Sequence, residues 1–456
     1  MPGLHQRWRA RTWIVSIAVA GCVVLATGTA SSSVTAPSVP PHSQLKSKVA
    51  ALGKITLTVE DVEQQVARSK AYDLLNKQFE KLYPNVKIKR VTKGYSALIT
   101  GEKLLLSSSH APDVVQINYG YSDQGPLVKG KLIQSLDPYA KAWGWYKRQP
   151  ASNLDPIRMT PAATKLGTSN LWGMAGTVDL IGIYYNKDLL SKIGASVPKT
   201  AADFATVLDK SKAAGQVPLM IADGDQNATL FLWYVAMAMV VPPANLQHFL
   251  LGQPGANFSL PQWVAAAKLI RHWAADGYLP NGYEGLDQGQ TAKMFGSGQG
   301  LFRPSGTWEN GEFVQDLGNK VGFIVPPPEG HAAATVAGPG QPWCIVTKSK
   351  NQLAGAAYID FITSDAAAKV FANVQDLAAT KIPAPSKLSP SAKDIYAGYA
   401  GLARSGTGLS WSIGTPKAYT YLNSGGQEML RGKITAEDYI KKLGDLYAED
   451  LKDQQS

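Results

Sequence analysis

Polar side chains set beside flat aromatic rings recur in this chain where strands end and helices begin. Glu60 and Asp61 close one alternating strand, and Asn118 and Tyr119 close another. Asp179 interrupts an apolar, β-branched run; Asp225 and Asn227 stand in a polar loop ahead of a helix; Trp308 and Glu309 open a helix after Ser305-Gly306-Thr307. Trp411 lies in the loop 406–415. Carboxylates and amides make directed hydrogen bonds, and aromatic rings offer apolar faces. A ligand that is polar at its rim and apolar on its ring faces, as a sugar is, calls for that pairing. Each residue also has an ordinary explanation, since most tryptophans fill cores and most loop carboxylates cap helices or meet water. Asp179 poses the sharpest choice. A strand carboxylate buried without a partner is costly, so it is either solvated at the strand mouth or an acceptor in a cleft.

Catalytic chemistry has little to stand on. Six histidines without a His-x-x-x-His or Cys/His cluster leave a zinc site without ligands. Neither a Gly-x-Ser-x-Gly elbow nor a Gly-x-x-x-x-Gly-Lys-Ser/Thr loop occurs, and Asn118 with Gly120 fits no nucleotide fingerprint. Carboxylate pairs would suit a glycosidase, but nothing sets a general acid apart from a solvated one. The expectation is a binding protein without cofactor or metal.

The elements that position these residues follow from periodicity. Ile55–Val59 alternates as a strand, a long amphipathic helix runs to about Tyr83, and Val86–Val91 alternates again. A helix over 95–108 leads to a third strand at Ala111–Ile117. This β-α-β-α-β order predicts a parallel sheet with helices on both faces. Val178–Tyr185 reads as a buried strand, Asn186-Lys187-Asp188 turns it into a short helix, and Thr200 with Asp203 forms a capping box for the next one. Pro218–Ile221 reads as a further strand that empties into the loop carrying Asp225 and Asn227.

The stretch YYNKDLLSKIGASVPKTAADF (184–204) resembles the signature of extracellular solute-binding proteins of the maltose-binding-like class, the capture subunits of ABC importers for sugars. KLIQSLDPY (131–139), TAKMFGSGQGLFRPSGTWENGEF (291–313) and GPGQPWCIVTKSKNQLAGAAYIDFITSD (338–365) match the same family in the expected order. Arg303-Pro304 departs from it, standing where the family keeps small or apolar residues. The resemblance implies an α/β, periplasmic-binding-protein-like fold. It has two discontinuous lobes joined by a hinge, each with a mixed, mostly parallel sheet flanked by helices. It implies lobe 1 over 51–177 plus 340–380 and lobe 2 over 178–339 plus 381–456. Trp308 falls where the family places a sugar-stacking aromatic. The implied partners are a carbohydrate and ABC permease subunits, and the implied protein is a monomer. Binders of other polar solutes (a polyamine, a phosphodiester or an iron complex) stay open as the alternative, followed by a secreted carbohydrate-active enzyme.

At the N-terminus, Arg7, Arg9 and Arg11 precede an apolar run from Trp13 to Ala26, the pattern of a signal peptide. Val19-Ala20-Gly21-Cys22 resembles a lipobox, which gives a leader over 1–22, lipidation of Cys22 and anchoring to the outer face of the cell membrane. Cleavage after Ala30 is the alternative and gives a secreted protein. The Ser- and Pro-rich stretch 31–50 reads as a linker. Cys344 then has no partner and reads as a small buried hydrophobe. Removing the three leader arginines from the formal charge of +11 leaves +8, spread without a run of five bases, and no nucleic-acid motif interleaves them.

Overall fold

A computed structural model describes residues 39–224, 226–410 and 414–455, and the side chains of all of these except 226–228 and 454–455. Its strands are β1 (Ile55–Asp61), β2 (Val86–Thr92), β3 (Val114–Gln116), β4 (Arg158–Met159), β5 (Asn170–Leu171) and β6 (Val178–Asn186). Five more follow: β7 (Phe302–Gly306), β8 (Val321–Ile324), β9 (Thr335–Pro339), β10 (Trp343–Ile345) and β11 (Gly408–Leu409).

The first sheet has the order β10-β3-β1-β2. β1 runs parallel to β2 and β3, as the helical crossovers Val66–Leu82 and Tyr95–Ser107 require. β10 returns from far along the chain and pairs antiparallel with β3, Cys344 opposite Val115. Cys344 is fully buried and unpaired, as a small hydrophobe should be.

The second sheet is organised by β6, all nine of whose residues are buried. Its first residues pair with β9 (Val178 with Pro339), and later ones with β7 (Ile181 with Gly306) and β8 (Ile183 with Ile324), always antiparallel. β11 pairs parallel with β9. The sheet is therefore mixed, and parallel pairing predominates in the first sheet alone. Pro218–Ile221 contributes a single parallel bridge, Leu219 to Phe302, rather than a strand.

Three segments cross between the sheets side by side. The Val178 N–H donates to the Leu377 carbonyl at 2.9 Å, Ala379 to Gly176 at 3.0 Å, and Gly340 to Thr177 at 2.8 Å. Such a hydrogen-bonded bundle of crossings is where a two-lobed fold bends.

The linker expected over 31–50 gives way at its C-terminal end. His42–Gln44 and Leu45–Ala50 are helical, and Leu45 and Val49, one turn apart, are buried in the first core. The Trp143 indole N–H donates to the Pro40 carbonyl at 2.9 Å. Two apolar residues at helical spacing suffice to dock a short helix that Ser/Pro-rich composition conceals.

The Thr200 capping box is present, with the Asp203 N–H donating to Thr200 Oγ1 and the Thr200 N–H to Asp203, each at 3.1 Å. Thr200→Ala is expected to lower stability by about 1 kcal/mol, seen as a lower urea midpoint at unchanged slope.

Candidate functional site

The carboxyl ends of β1 and β3, where open α/β sheets bind ligands, deliver the first side of the site. Glu60 is buried there and ion-paired with Lys93, Nζ to Oε1 at 2.6 Å. Asn118 donates from Nδ2 to Asp123 Oδ2 at 2.6 Å, and its buried Oδ1 has no hydrogen-bond partner among the described residues. The Tyr119 hydroxyl is likewise buried and unpartnered, and so is Gln124 Oε1, whose amide nitrogen donates to the Ile157 carbonyl at 2.9 Å.

The helix Tyr95–Ser107 adds two residues. Leu98, Glu102 and Leu106 repeat at helical spacing and turn inward, so a carboxyl is carried into the interior between two core leucines. Glu102 is 2% exposed and its Oε1 has no partner among the described residues. Burial pushes its carboxyl well up, with Asp123 and Glu60 adding to the rise. Asp123 is also raised by burial, against the hydrogen bond from Asn118.

Helices of the second sheet's side close over this face. Tyr234 comes from Gln226–Val240, and Tyr419 with Asn423, one turn apart, from Pro416–Leu430. Burial raises the Tyr95 hydroxyl well up, with Tyr419, Asp123, Tyr234 and Glu102 all close enough to add to it. Burial raises Tyr234 in the same way, with Tyr419 and Tyr119 contributing. Asn423 donates to the Tyr419 carbonyl at 3.2 Å and leaves its buried Oδ1 unpartnered. Four tyrosines from both sides thus meet around carboxyl and amide groups. Beside them Tyr121 accepts from the Leu166 N–H at 3.2 Å and packs against Gly252. Leu166 also lines an adjoining cavity of about 460 Å³, with Asn153, Asp155, Gln247, Gln253 and Tyr399.

Other expected site residues are held by arginines. Both oxygens of Asp61 accept from Arg90, at 2.6 and 3.0 Å. Glu309 accepts twice from Arg303, at 2.7 and 2.8 Å; Arg303 also donates to Thr291 Oγ1 at 3.0 Å, so Arg303 anchors the turn before Trp308. Asp179 accepts from Arg68 at 2.8 Å and from the Thr307 hydroxyl at 3.3 Å. Arg68 simultaneously binds Asp376 at 2.6 and 2.7 Å and lies 3.7 Å from Glu63. These carboxylates are internal partners rather than free acceptors, and a buried guanidinium is the reason the apolar strand tolerates Asp179. Trp308 is half-buried, its indole against Gly306 and tilted on Phe231 with ring centroids 5.6 Å apart. Asp225, Trp411 and Cys22 lie outside the described residues, as does the side chain of Asn227.

The residues that sequence reasoning passed over are Tyr95, Glu102, Asp123, Tyr234, Tyr419 and Asn423. Glu102 carried a signal: a carboxylate on the apolar face of an amphipathic helix. The others sit in patterns that core packing explains equally well.

Two sheets bridged by paired crossings, with polar and aromatic residues enclosed where the parallel strands end, define a two-lobed α/β binding fold. The chain belongs to the bacterial extracellular solute-binding protein family, whose model matches residues 64–369. It is 26% identical over 234 residues to a probable sugar-binding periplasmic protein of Mesorhizobium japonicum, covering 48% of this chain and 50% of that one. It is 22% identical over 274 residues to a multiple sugar-binding protein of Streptococcus mutans, covering 58% and 60%. The matched stretches thus span about half of these relatives' length. Among solved structures, a chitin oligosaccharide binding protein superposes with a TM-score of 0.75 at 18% identity, over 88% of this chain and 99% of that one. The solute-binding protein RafE in complex with raffinose superposes with a TM-score of 0.68 at 20% identity, over 88% and 100%. Among the described residues no helix is long and apolar enough to cross a membrane, and no three His, Cys, Asp or Glu side chains gather to hold a metal ion.

Proposed function

We propose that this protein captures a carbohydrate between its lobes and presents it to an ABC permease, without catalysing a reaction on it. The observation that carries the reading is the enclosure of Tyr95, Tyr119, Tyr234 and Tyr419 around buried amide and carboxyl oxygens that lack partners among the described residues. Buried polar atoms are rarely left unpaired, and a polyhydroxylated ring supplies both their hydrogen bonds and an apolar face for the tyrosines. The names of the relatives, and the raffinose bound in one of the similar structures, point the same way. The sheet membership of the strands supports a first lobe over 39–177 plus 340–380 and a second over 178–339 plus 381–455, turning about the paired crossings.

A thermal-shift screen against mono- and oligosaccharides tests the reading. A true ligand at a hundredfold excess over its Kd stabilises the folded state by about 2.7 kcal/mol. A panel of linear and branched saccharides that leaves the melting temperature unmoved, while a polyamine or iron complex raises it, overturns the carbohydrate assignment.

Anchoring through Cys22 belongs to the same proposal. Cys22→Ala is expected to move the protein from the membrane fraction of its host into the medium or periplasm. Retention of that variant equal to wild type overturns lipid anchoring.

A further inference from the structure

The chain is basic overall, yet the site is acidic. Glu60, Glu102 and Asp123 reach the same buried region from β1, from the helix Tyr95–Ser107 and from the segment after β3, and Glu60 and Asp123 are both close enough to Glu102 to influence it. Around them stand Tyr95, Tyr119, Tyr234 and Tyr419, which are neutral near pH 7. Lys93 closes on one of them, its ammonium 2.6 Å from Glu60. Among the described residues no ion pair is formed by Glu102 or Asp123. Asp123 accepts from the Asn118 amide at 2.6 Å, and Glu102 keeps a buried oxygen with no partner. The other unpartnered amide oxygens here, from Asn118, Gln124 and Asn423, are acceptors as well. These unpartnered acceptors outnumber the one donor that the unpartnered Tyr119 hydroxyl can offer them, and the site is short of positive charge.

A hydroxyl group supplies a donor but no charge. An ammonium group supplies up to three donors and a positive charge that favours the ionised form of a carboxyl held up by burial, and charge-assisted hydrogen bonds are roughly twice as strong as neutral ones. We propose that the solute is an amine-bearing saccharide whose ammonium sits between Glu102 and Asp123 while its ring faces rest on the tyrosines. This rests on the carbohydrate reading above and narrows it.

Three trimers that share one β-1,4 backbone and differ only at C2 test it: the glucosamine trimer, the N-acetylglucosamine trimer and cellotriose. Titration calorimetry at pH 6, where the amine is charged, is expected to give the glucosamine trimer at least a tenfold lower Kd than cellotriose. In Glu102→Gln and in Asp123→Asn that advantage should fall to within about threefold. Both changes keep shape and remove a carboxyl whose ionised form burial already disfavours, so the ligand-free melting temperature of each is expected to stay at or above that of wild type. If one variant fails to fold, the other carries the comparison. Equal or tighter binding of cellotriose or the acetylated trimer overturns the amine assignment and leaves the carbohydrate reading standing. So does an amine preference that survives both substitutions. Absence of binding by the glucosamine trimer overturns the assignment outright. The broader reading falls with it only if the full saccharide panel also leaves the melting temperature unchanged.

Discussion

Arg68→Met is expected to lower the stability of the ligand-free protein by about 3–5 kcal/mol, the cost of breaking a buried ion pair by removing one partner. Arg68 is 3% exposed and faces three buried carboxyl groups, bonding to Asp179 and Asp376 and standing 3.7 Å from Glu63. Methionine fills much of the same volume, so the loss isolates charge from packing. The deficit should also depend on pH. Burial raises Glu63 from its ordinary 4.5 to about 7 and Asp376 from 3.8 to about 6, against the pull of Arg68 on both. Folded values above unfolded ones mean that the folded state holds protons the unfolded chain has already released. The contribution of these two groups to stability therefore falls as pH rises from about 4 to 7. Without Arg68 both carboxyls move higher still, and the window of loss extends upward. Urea unfolding at pH 5 and pH 8 should show the Arg68→Met deficit growing between the two. A deficit below about 1 kcal/mol, or one equal at both values, would mean that Arg68 acts through packing alone.

Trp308→Ala should separate binding from folding in the opposite sense. The indole is half-buried, lies against Gly306 and touches Phe231, which stands one turn before Tyr234 on the same helix. If it is a platform for a ring, its removal costs affinity more than stability. The expected loss for any saccharide that passes the thermal screen is tenfold to a hundredfold, or about 1.4–2.8 kcal/mol. The loss of ligand-free stability should stay under the 3–5 kcal/mol typical of a truncated core tryptophan. Gly306→Ala offers a second route to the same question. A Cβ there would stand 2.0 Å from the indole ring, so the ring must leave its seat while remaining in the chain. Both variants should lose most of the ligand-induced change in tryptophan emission. Affinity within about twofold of wild type in both would assign Trp308 to the core.

Much of this architecture could be read from local pattern, because local pattern is what forms it. The run Val178–Tyr185 is apolar on both faces and became the strand at the centre of the second sheet. Thr200 and Asp203 announced their helix, and Asn118 and Tyr119 end a strand at the site. The misleading residues were Asp61, Asp179 and Glu309. Each looks like an acceptor awaiting a ligand, since the arginine that occupies it comes from another element of the fold. The missed ones failed for the converse reason. Tyr234 sits in the helix YVAMAMV region, whose run of apolar neighbours reads as core, and only the packing of two lobes turns its hydroxyl toward Tyr419 and Tyr119. The short helix Leu45–Ala50 was hidden by the composition ahead of it.

The return of β10 to the first sheet sets an order of events during synthesis. β3 has β1 on one side, but its other edge is covered only when Trp343–Ile345 arrives. At about 5–20 residues per second, the ribosome needs roughly ten to forty-five seconds to travel from β3 to β10. Through that interval the nascent sheet carries an open edge, the kind of surface that pairs with other chains. The half-made first lobe thus cannot reach its final form before most of the chain exists. For a family named as extracellular that delay has a use: a chain whose first sheet is still open has not yet set into a body too large to thread across a membrane.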